Sequence, residues 1–193
     1  MKESEVLKIF EETGALLSGH FLLSSGLHSD RYLQAARILQ YPEQALLLGN
    51  ELARRFSGQK ISAVIGPALG AVVIAFTVSA GLKGTRAIFA EREGGVFTLR
   101  RGFEIKPAER VLVVEDVLTT GGSTREIITL AKNLKAEVIG VGAIAERSEI
   151  PINFDVPKEV LLRLPLHTYP PESCPLCRQG IPLVKPGSRH GAV

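Results

Sequence analysis

Glu115 and Asp116 are adjacent carboxylates that follow the apolar run VLVV at residues 111–114, and Thr119, Thr120, Gly121, Gly122, Ser123 and Thr124 come just after them. The two halves of this stretch suit opposite chemistry. Glycines let a backbone approach a ligand closely, and a turn that opens a helix presents unpaired N–H groups and the positive end of the helix dipole. The hydroxyls add further donors, so this half is a cradle for phosphate. Two acids beside it would repel the phosphate. They are therefore expected to face a neutral, hydroxyl-bearing part of the same ligand, or a metal. A ribose 5-phosphate satisfies both halves, with its phosphate in the loop and its ring hydroxyls on the acids. A lone Gly-Gly would signal only a tight turn with solvated acids before it, but an apolar strand in register with both halves favours a ligand. The Gly-Lys-Ser/Thr ending of a Walker A loop is absent, and so is a GxGxxG pattern.

In open α/β sheets ligands bind at the carboxyl ends of strands, so the strand at 111–114 and a helix from about Ser123 to Leu134 must position this site. The surrounding sequence supplies a matching frame. Ser4 is placed to cap a helix carrying Val6, Leu7, Ile9 and Phe10 and stopped at Gly14. Residues 15–17 and 21–23 are expected to form a short hairpin around Ser18-Gly19. Pro42 suits the first turn of a helix that carries Leu46, Leu47, Leu52 and Phe56 and ends near Gly58. Strands are expected at 63–65, 87–90, 96–99, 138–145 and 160–164, with a small-residue helix from 68 to 80. Near-continuous apolar strands alternating with helices predict a mostly parallel central sheet covered on both faces.

The chain has 193 residues, 45% hydrophobic and 22% charged, with a formal net charge of +3. That length suits a single α/β domain spanning 1–193. Residues 1–60 form an N-terminal region, 61–150 the α/β core, and 151–193 a C-terminal strand with a Pro-rich tail. A modest positive charge fits an anionic small substrate, and without a basic stripe it does not argue for nucleic acid. No run approaches the roughly 20 apolar residues of a membrane helix, and the charged N-terminal stretch lacks the apolar core of a signal peptide. A cytoplasmic protein is expected.

The segment from Glu115 to Ser123 resembles the phosphoribosyl-diphosphate motif of the type I phosphoribosyltransferases, and the resemblance continues beyond it. Residues 20–34, HFLLSSGLHSDRYLQ, are similar to the N-terminal segment of the orotate phosphoribosyltransferases, which reads F-x-L-x-S-G-x-x-S followed by an aromatic. GPALG at 66–70 stands where that family has its pyrophosphate loop, and AERSE at 145–149 where it has a base-binding arginine. The resemblance implies the type I fold, with a small hood built from the N-terminal segment. It also implies Mg²⁺-dependent transfer of a phosphoribosyl group from 5-phosphoribosyl 1-diphosphate to orotate. The products would be orotidine 5′-monophosphate and pyrophosphate, a step of pyrimidine biosynthesis.

Position by position, the resemblance implies that Glu115 and Asp116 hold the ribose hydroxyls, with Asp116 catalytic. Val117, Leu118, Thr119, Thr120, Gly121, Gly122 and Ser123 would complete the phosphoribosyl-diphosphate site. Ala68, Leu69 and Gly70 would form the pyrophosphate loop. Thr119, Arg147, Ser24, Ser25 and Tyr32 would contact orotate, Arg147 through a two-donor fork to its carboxylate. Mg²⁺ would be held mainly through the substrate, and a homodimer with sites near the subunit interface is implied.

The leaving-group side departs from the pattern. The mobile loop rich in lysine is replaced by Glu91-Arg92-Glu93-Gly94-Gly95, and the hood and pyrophosphate-loop lysines are replaced by Ser24 and Gly70. Arg92 is the expected substitute, with Arg100, Arg101 and Lys106 as further candidates, although arginines around a hairpin are usually a solvated face.

Cys174-Pro-Leu-Cys177 is half of a zinc knuckle. Within one chain a four-ligand site needs the tail to fold back, the late histidines being His167 and His190. A site across a dimer, a local disulfide or free thiols are the alternatives. His20 and His28 read as loop histidines of the hood. Beside the orotate enzyme stand two other readings: a phosphoribosyltransferase for another base, and a phosphoribosyl-diphosphate sensor that binds nucleic acid.

Overall fold

The structure, a computed structural model, describes residues 1–186. His190 and the rest of the tail beyond Pro186 lie outside the described residues.

Helix α1 (Glu3–Glu12) buries Val6, Ile9 and Phe10 on one face. It starts before Ser4, so Ser4 does not cap it; Lys2 is the N-cap, and its amide donates to Glu5 Oε2 at 2.6 Å. Strands β1 (Leu16–Leu22) and β2 (His28–Leu33) then pair antiparallel as a separate two-stranded sheet. The hairpin expected around Ser18-Gly19 is not there. Those residues lie inside β1, where the register shifts between Ser18 and Phe21. A tight turn needs a positive φ, and Gly26 supplies it at +83° while the Leu23 amide donates to Leu27 O at 2.8 Å.

Helices α2 (Ala36–Leu39) and α3 (Pro42–Arg55) follow, with Pro42 in the first turn of α3 as expected. The main sheet has six strands in the order β5-β4-β3-β6-β7-β8. These are β3 (Ala63–Pro67), β4 (Arg86–Glu93), β5 (Val96–Leu99), β6 (Arg110–Leu118), β7 (Glu137–Glu146) and β8 (Lys158–Arg163). All neighbours are parallel except β4 and β5. Helix α4 (Gly70–Gly81) links β3 to β4, and α5 (Gly122–Asn133) links β6 to β7. The mixed α/β class with a mostly parallel sheet matches the expectation.

The near-continuous apolar strands are explained by burial on both faces. In β6, Leu112 and Val114 join the core under α1, α3 and α4, whereas Val111 and Val113 join the core under α5 with Ile127 and Ile128. Helices α3 and α4 approach closely at Gly49, where an added Cβ would stand 2.3 Å from Thr77 Oγ1. Strand β6 runs further than its apolar run suggested, because β7 offers partners as far as Leu118, which pairs with Glu146. Glu115 and Asp116 therefore sit on the strand itself.

The C-terminal segment returns across the molecule. A 3₁₀ turn (Pro171–Ser173) and α6 (Pro175–Arg178) lie between two bridges to the hood, His28 with Tyr169 and Phe21 with Val184. Among the described residues no helix is long and apolar enough to cross a membrane.

Candidate active site

A cavity of about 1230 Å³ opens over the carboxyl ends of β3, β6 and β7, between the sheet and the hood. The loop from Thr119 to Thr124 forms one wall. Gly121, at φ +75°, turns the chain into α5, and a Cβ there would come within 2.9 Å of Ile152 and Phe154, so the position requires glycine twice over. The first residues of α5 line the cavity with Thr119, Thr120 and Ser123, and the Gly122 amide donates to Thr120 Oγ1 at 3.4 Å; the first amides of a helix lack partners within the helix itself. The residues expected to cradle a phosphate thus lie together along one wall of the cavity.

Glu115 and Asp116 form the floor beside it. Glu115 is only 9% exposed, and Thr124 Oγ1 donates to its Oε2 at 3.5 Å. Asp116 Oδ1 accepts from the Val117 amide at 2.7 Å. Burial, and then the neighbouring Asp116 charge, push the Glu115 carboxyl well above its ordinary value. Burial raises Asp116 as well. Both shifts have the same cause, removal of the carboxylates from water, and in Glu115 the adjacent like charge reinforces it.

The loop from Ala68 to Gly70 forms the opposite lip. The Ala68 amide donates to Ala90 O at 2.8 Å, the Ala68–Leu69 peptide is cis, and the Leu69 side chain is 82% exposed. A Cβ on Gly70 would stand 2.8 Å from Asp116 Oδ2. A side chain at 70 would require the Asp116 carboxylate to shift from this position.

Arg147 and Tyr32 close the far end. The Arg147 guanidinium carbon lies 5.9 Å from the Tyr32 ring centroid. Burial lowers the Arg147 pKa, with Tyr32 the opposing influence, and among the described residues no carboxylate pairs with it. Burial in turn raises the Tyr32 hydroxyl, with Arg147 opposing and Asp116 reinforcing the shift. The turn that carries Arg147 is fixed from beneath by Glu146, which is 1% exposed. Glu146 accepts from Lys158 Nζ at 2.5 Å, the Ile152 amide at 2.9 Å and Ser148 Oγ at 2.8 Å. Burial works against its charge, but these donors outweigh it and hold the carboxyl below its ordinary value.

The other expected residues separate into two groups. Ser24 lines the cavity, whereas Ser25 is exposed on the hood turn and is not among the lining residues. Arg92 lines it too, but its Nη2 donates to Glu126 at 2.7 Å and its guanidinium stacks 4.1 Å from the Phe97 centroid. Arg100 and Arg101 point instead to Glu93 and Glu91, and Lys106 to Glu104, away from the cavity. Lys185, which no local pattern singles out, lines the cavity from the returning C-terminal segment. Only the tertiary return of the tail reveals it.

The chain matches the phosphoribosyl transferase domain family over residues 37–153. It is 55% identical over 189 residues to the orotate phosphoribosyltransferase of a Thermoanaerobacter species, covering 98% of this chain and 99% of the relative. Among solved structures it is similar to the orotate phosphoribosyltransferase of Aeropyrum pernix, with a TM-score of 0.64, 27% identity, and coverage of 93% of this chain and 91% of that one. The adenine phosphoribosyltransferase of Rhodothermus marinus shares the fold at a TM-score of 0.65 and 20% identity, over 83% of this chain and 99% of that one. The fold by itself therefore does not select the base.

The raised carboxyls give a pH test of the site. Folding favours the protonated form of Glu115 and Asp116, so the stability they contribute is complete below an ordinary carboxyl pKa of about 4. It is lost as pH rises through their raised values. In urea denaturation at stepped pH, Glu115→Gln is expected to gain on wild type as pH rises above that range. A stability difference that does not change with pH would contradict the raised carboxyls.

Proposed function

This chain belongs to the phosphoribosyl transferase domain family, and from that premise we propose that it transfers the phosphoribosyl group of 5-phosphoribosyl 1-diphosphate to orotate. The products are orotidine 5′-monophosphate and pyrophosphate, which makes the chain a pentosyltransferase of pyrimidine biosynthesis. The observation that carries the choice of base is Arg147, a half-buried cation on the cavity with no carboxylate partner among the described residues. Orotate brings a carboxylate that completes a bidentate pair, whereas a purine would leave the guanidinium desolvated and unmatched.

The rest of the cavity orders the reactants. The 5-phosphate sits on the amides and hydroxyls of Thr119–Ser123, and the ribose hydroxyls meet Glu115 and Asp116. Val117 and Leu118 carry the backbone between the two. Orotate lies against Arg147 and Thr119 under Tyr32 and Ser24, and pyrophosphate leaves past Ala68, Leu69 and Gly70. As the bond from the ribose to pyrophosphate breaks, the sugar gains positive character. Asp116 then stabilises charge that is absent in the ground state. Mg²⁺, carried in mainly through the substrate, supplies charge neutralisation to the departing pyrophosphate. The oxygen-rich cavity suits such a hard cation, with Asp116 and Glu115 as the carboxylates at hand. The basic side chains that this chain offers to the leaving group are Arg92, once released from Glu126, and Lys185.

We place the reaction in the cytoplasm and the enzyme in a homodimer without nucleic acid. Helices α3 and α4 leave Leu46, Leu47, Val73 and Phe76 exposed, with Phe76 at 64%, an apolar surface of the kind a partner subunit covers. Sedimentation should give twice the chain mass, and a monomer at micromolar concentration would overturn that assembly.

A Mg²⁺-dependent assay with 5-phosphoribosyl 1-diphosphate and separate bases (orotate, uracil, nicotinate, adenine and hypoxanthine) tests the reading. Only orotate should be consumed. Arg147→Ala should raise its KM about ten- to a hundredfold, and Asp116→Asn should lower kcat about a hundredfold or more. Turnover of a different base would overturn the specificity. Undiminished activity in Arg147→Ala would remove its basis.

A further inference from the structure

The hood and the returning C-terminal segment meet at four side chains that the transfer reaction does not use. His20 and His28 read from sequence as loop histidines, yet they lie on β1 and β2 and are 2% and 4% exposed. The tail folds back and sets Cys174 and Cys177 against them. His20 Nε2 is 2.9 Å from His28 Nδ1, 3.5 Å from Cys174 Sγ and 3.7 Å from Cys177 Sγ, and His28 Nδ1 is 3.3 Å from Cys177 Sγ. All four donor atoms lie within 4.8 Å of one another. The histidine partners expected for the cysteines were the late ones, but His167 instead faces Glu149.

We propose that His20, His28, Cys174 and Cys177 form a structural zinc site that fastens the C-terminal segment to the hood.

Distance supports this first. Zinc bonds of about 2.3 Å to sulfur and 2.0–2.1 Å to nitrogen give tetrahedral edges of roughly 3.8 Å between sulfurs, 3.6 Å between sulfur and nitrogen, and 3.3 Å between nitrogens. The sulfur–nitrogen separations here bracket that edge, and the nitrogen pair needs to open by only a few tenths of an ångström. Orientation is the second support. His20 Nδ1 lies 2.8 Å from the Ile181 carbonyl, to which it donates, so its Nε2 lone pair faces the other three donors. A metal-bound histidine ordinarily has an outer partner of this kind.

The third support is the tail itself. From Pro171 to Val184 Cys174 is the one buried residue, and Ile181, Leu183 and Val184 are exposed, so this stretch has no apolar core to hold it. A soft four-ligand site supplies in one place what burial does not. Backbone bonds flank it: the Val184 amide donates to His20 O, the Leu22 amide to Val184 O, and the His28 amide to Tyr169 O, each at 2.8 Å. Lys185 follows directly and lines the substrate cavity, so the tether also fixes one wall of the active site.

The test is the metal content of the full chain, expressed without a polyhistidine tag and purified without chelators. Elemental analysis should find about one zinc per chain. Cobalt substituted for it should show the visible bands of a tetrahedral ion and a thiolate charge-transfer band in the near ultraviolet. Cys177 is exposed, so Cys177→Ser should stay folded by circular dichroism while zinc falls below about a tenth per chain. Wild-type protein that takes up no zinc at micromolar concentration, a Cys174–Cys177 disulfide found by mass spectrometry, or Cys177→Ser that keeps its full zinc would each overturn the proposal.

Discussion

Burial of two adjacent acids at the end of a central strand is the constraint on which the rest of the site depends. Glu115 and Asp116 are held on β6 because β7 pairs with that strand as far as Leu118. Two like charges cannot both ionise cheaply in such a place, and both carboxyls are raised above their ordinary values. Asp116 also packs against the loop opposite, where a Cβ on Gly70 would stand 2.8 Å from its Oδ2. The same strand end delivers the chain into Gly121 and α5, so the two acids and the 119–123 turn face one cavity.

The opposite end of the cavity depends on different support. Arg147 leaves β7 directly after Glu146, and the buried Glu146–Lys158 pair ties the turn to β8. Removing one member of such a pair strands a charge in the interior, so this support is rigid while it is complete. Above it the hood presents Tyr32, and the returning tail braces the hood from behind. Sheet, hood and tail each contribute one wall, and none encloses the cavity alone.

Much of this was legible in the sequence, for identifiable reasons. Strands β3, β6 and β7 announced themselves because burial on both faces demands unbroken apolar runs. That residues 119–123 face the cavity was legible because glycines and hydroxyls are local signals, and the place of Arg147 on it followed from resemblance to a known motif. Features set by tertiary contact were not legible. Ser18-Gly19 resembles a turn but is absorbed as an irregularity of β1. Arg92 lay in the right loop, but its pairing with Glu126, which is distant in sequence, could not be read. Lys185 and the meeting of His20 and His28 with the two cysteines depend on a chain return across more than a hundred residues. No local pattern encodes such a return.

The proposed function requires one cavity to hold a phosphate at the Thr119–Ser123 turn and a carboxylate at Arg147, with the ribose over Glu115 and Asp116 between them. A crystal structure of the complex with orotidine 5′-monophosphate tests it most directly. The phosphate is expected on the amides of that turn, the ribose hydroxyls on the two acids, and the orotate carboxylate forked by Arg147. A nucleotide whose carboxylate faces solvent or another cation, or whose phosphate lies at the Ala68–Gly70 loop, would contradict it.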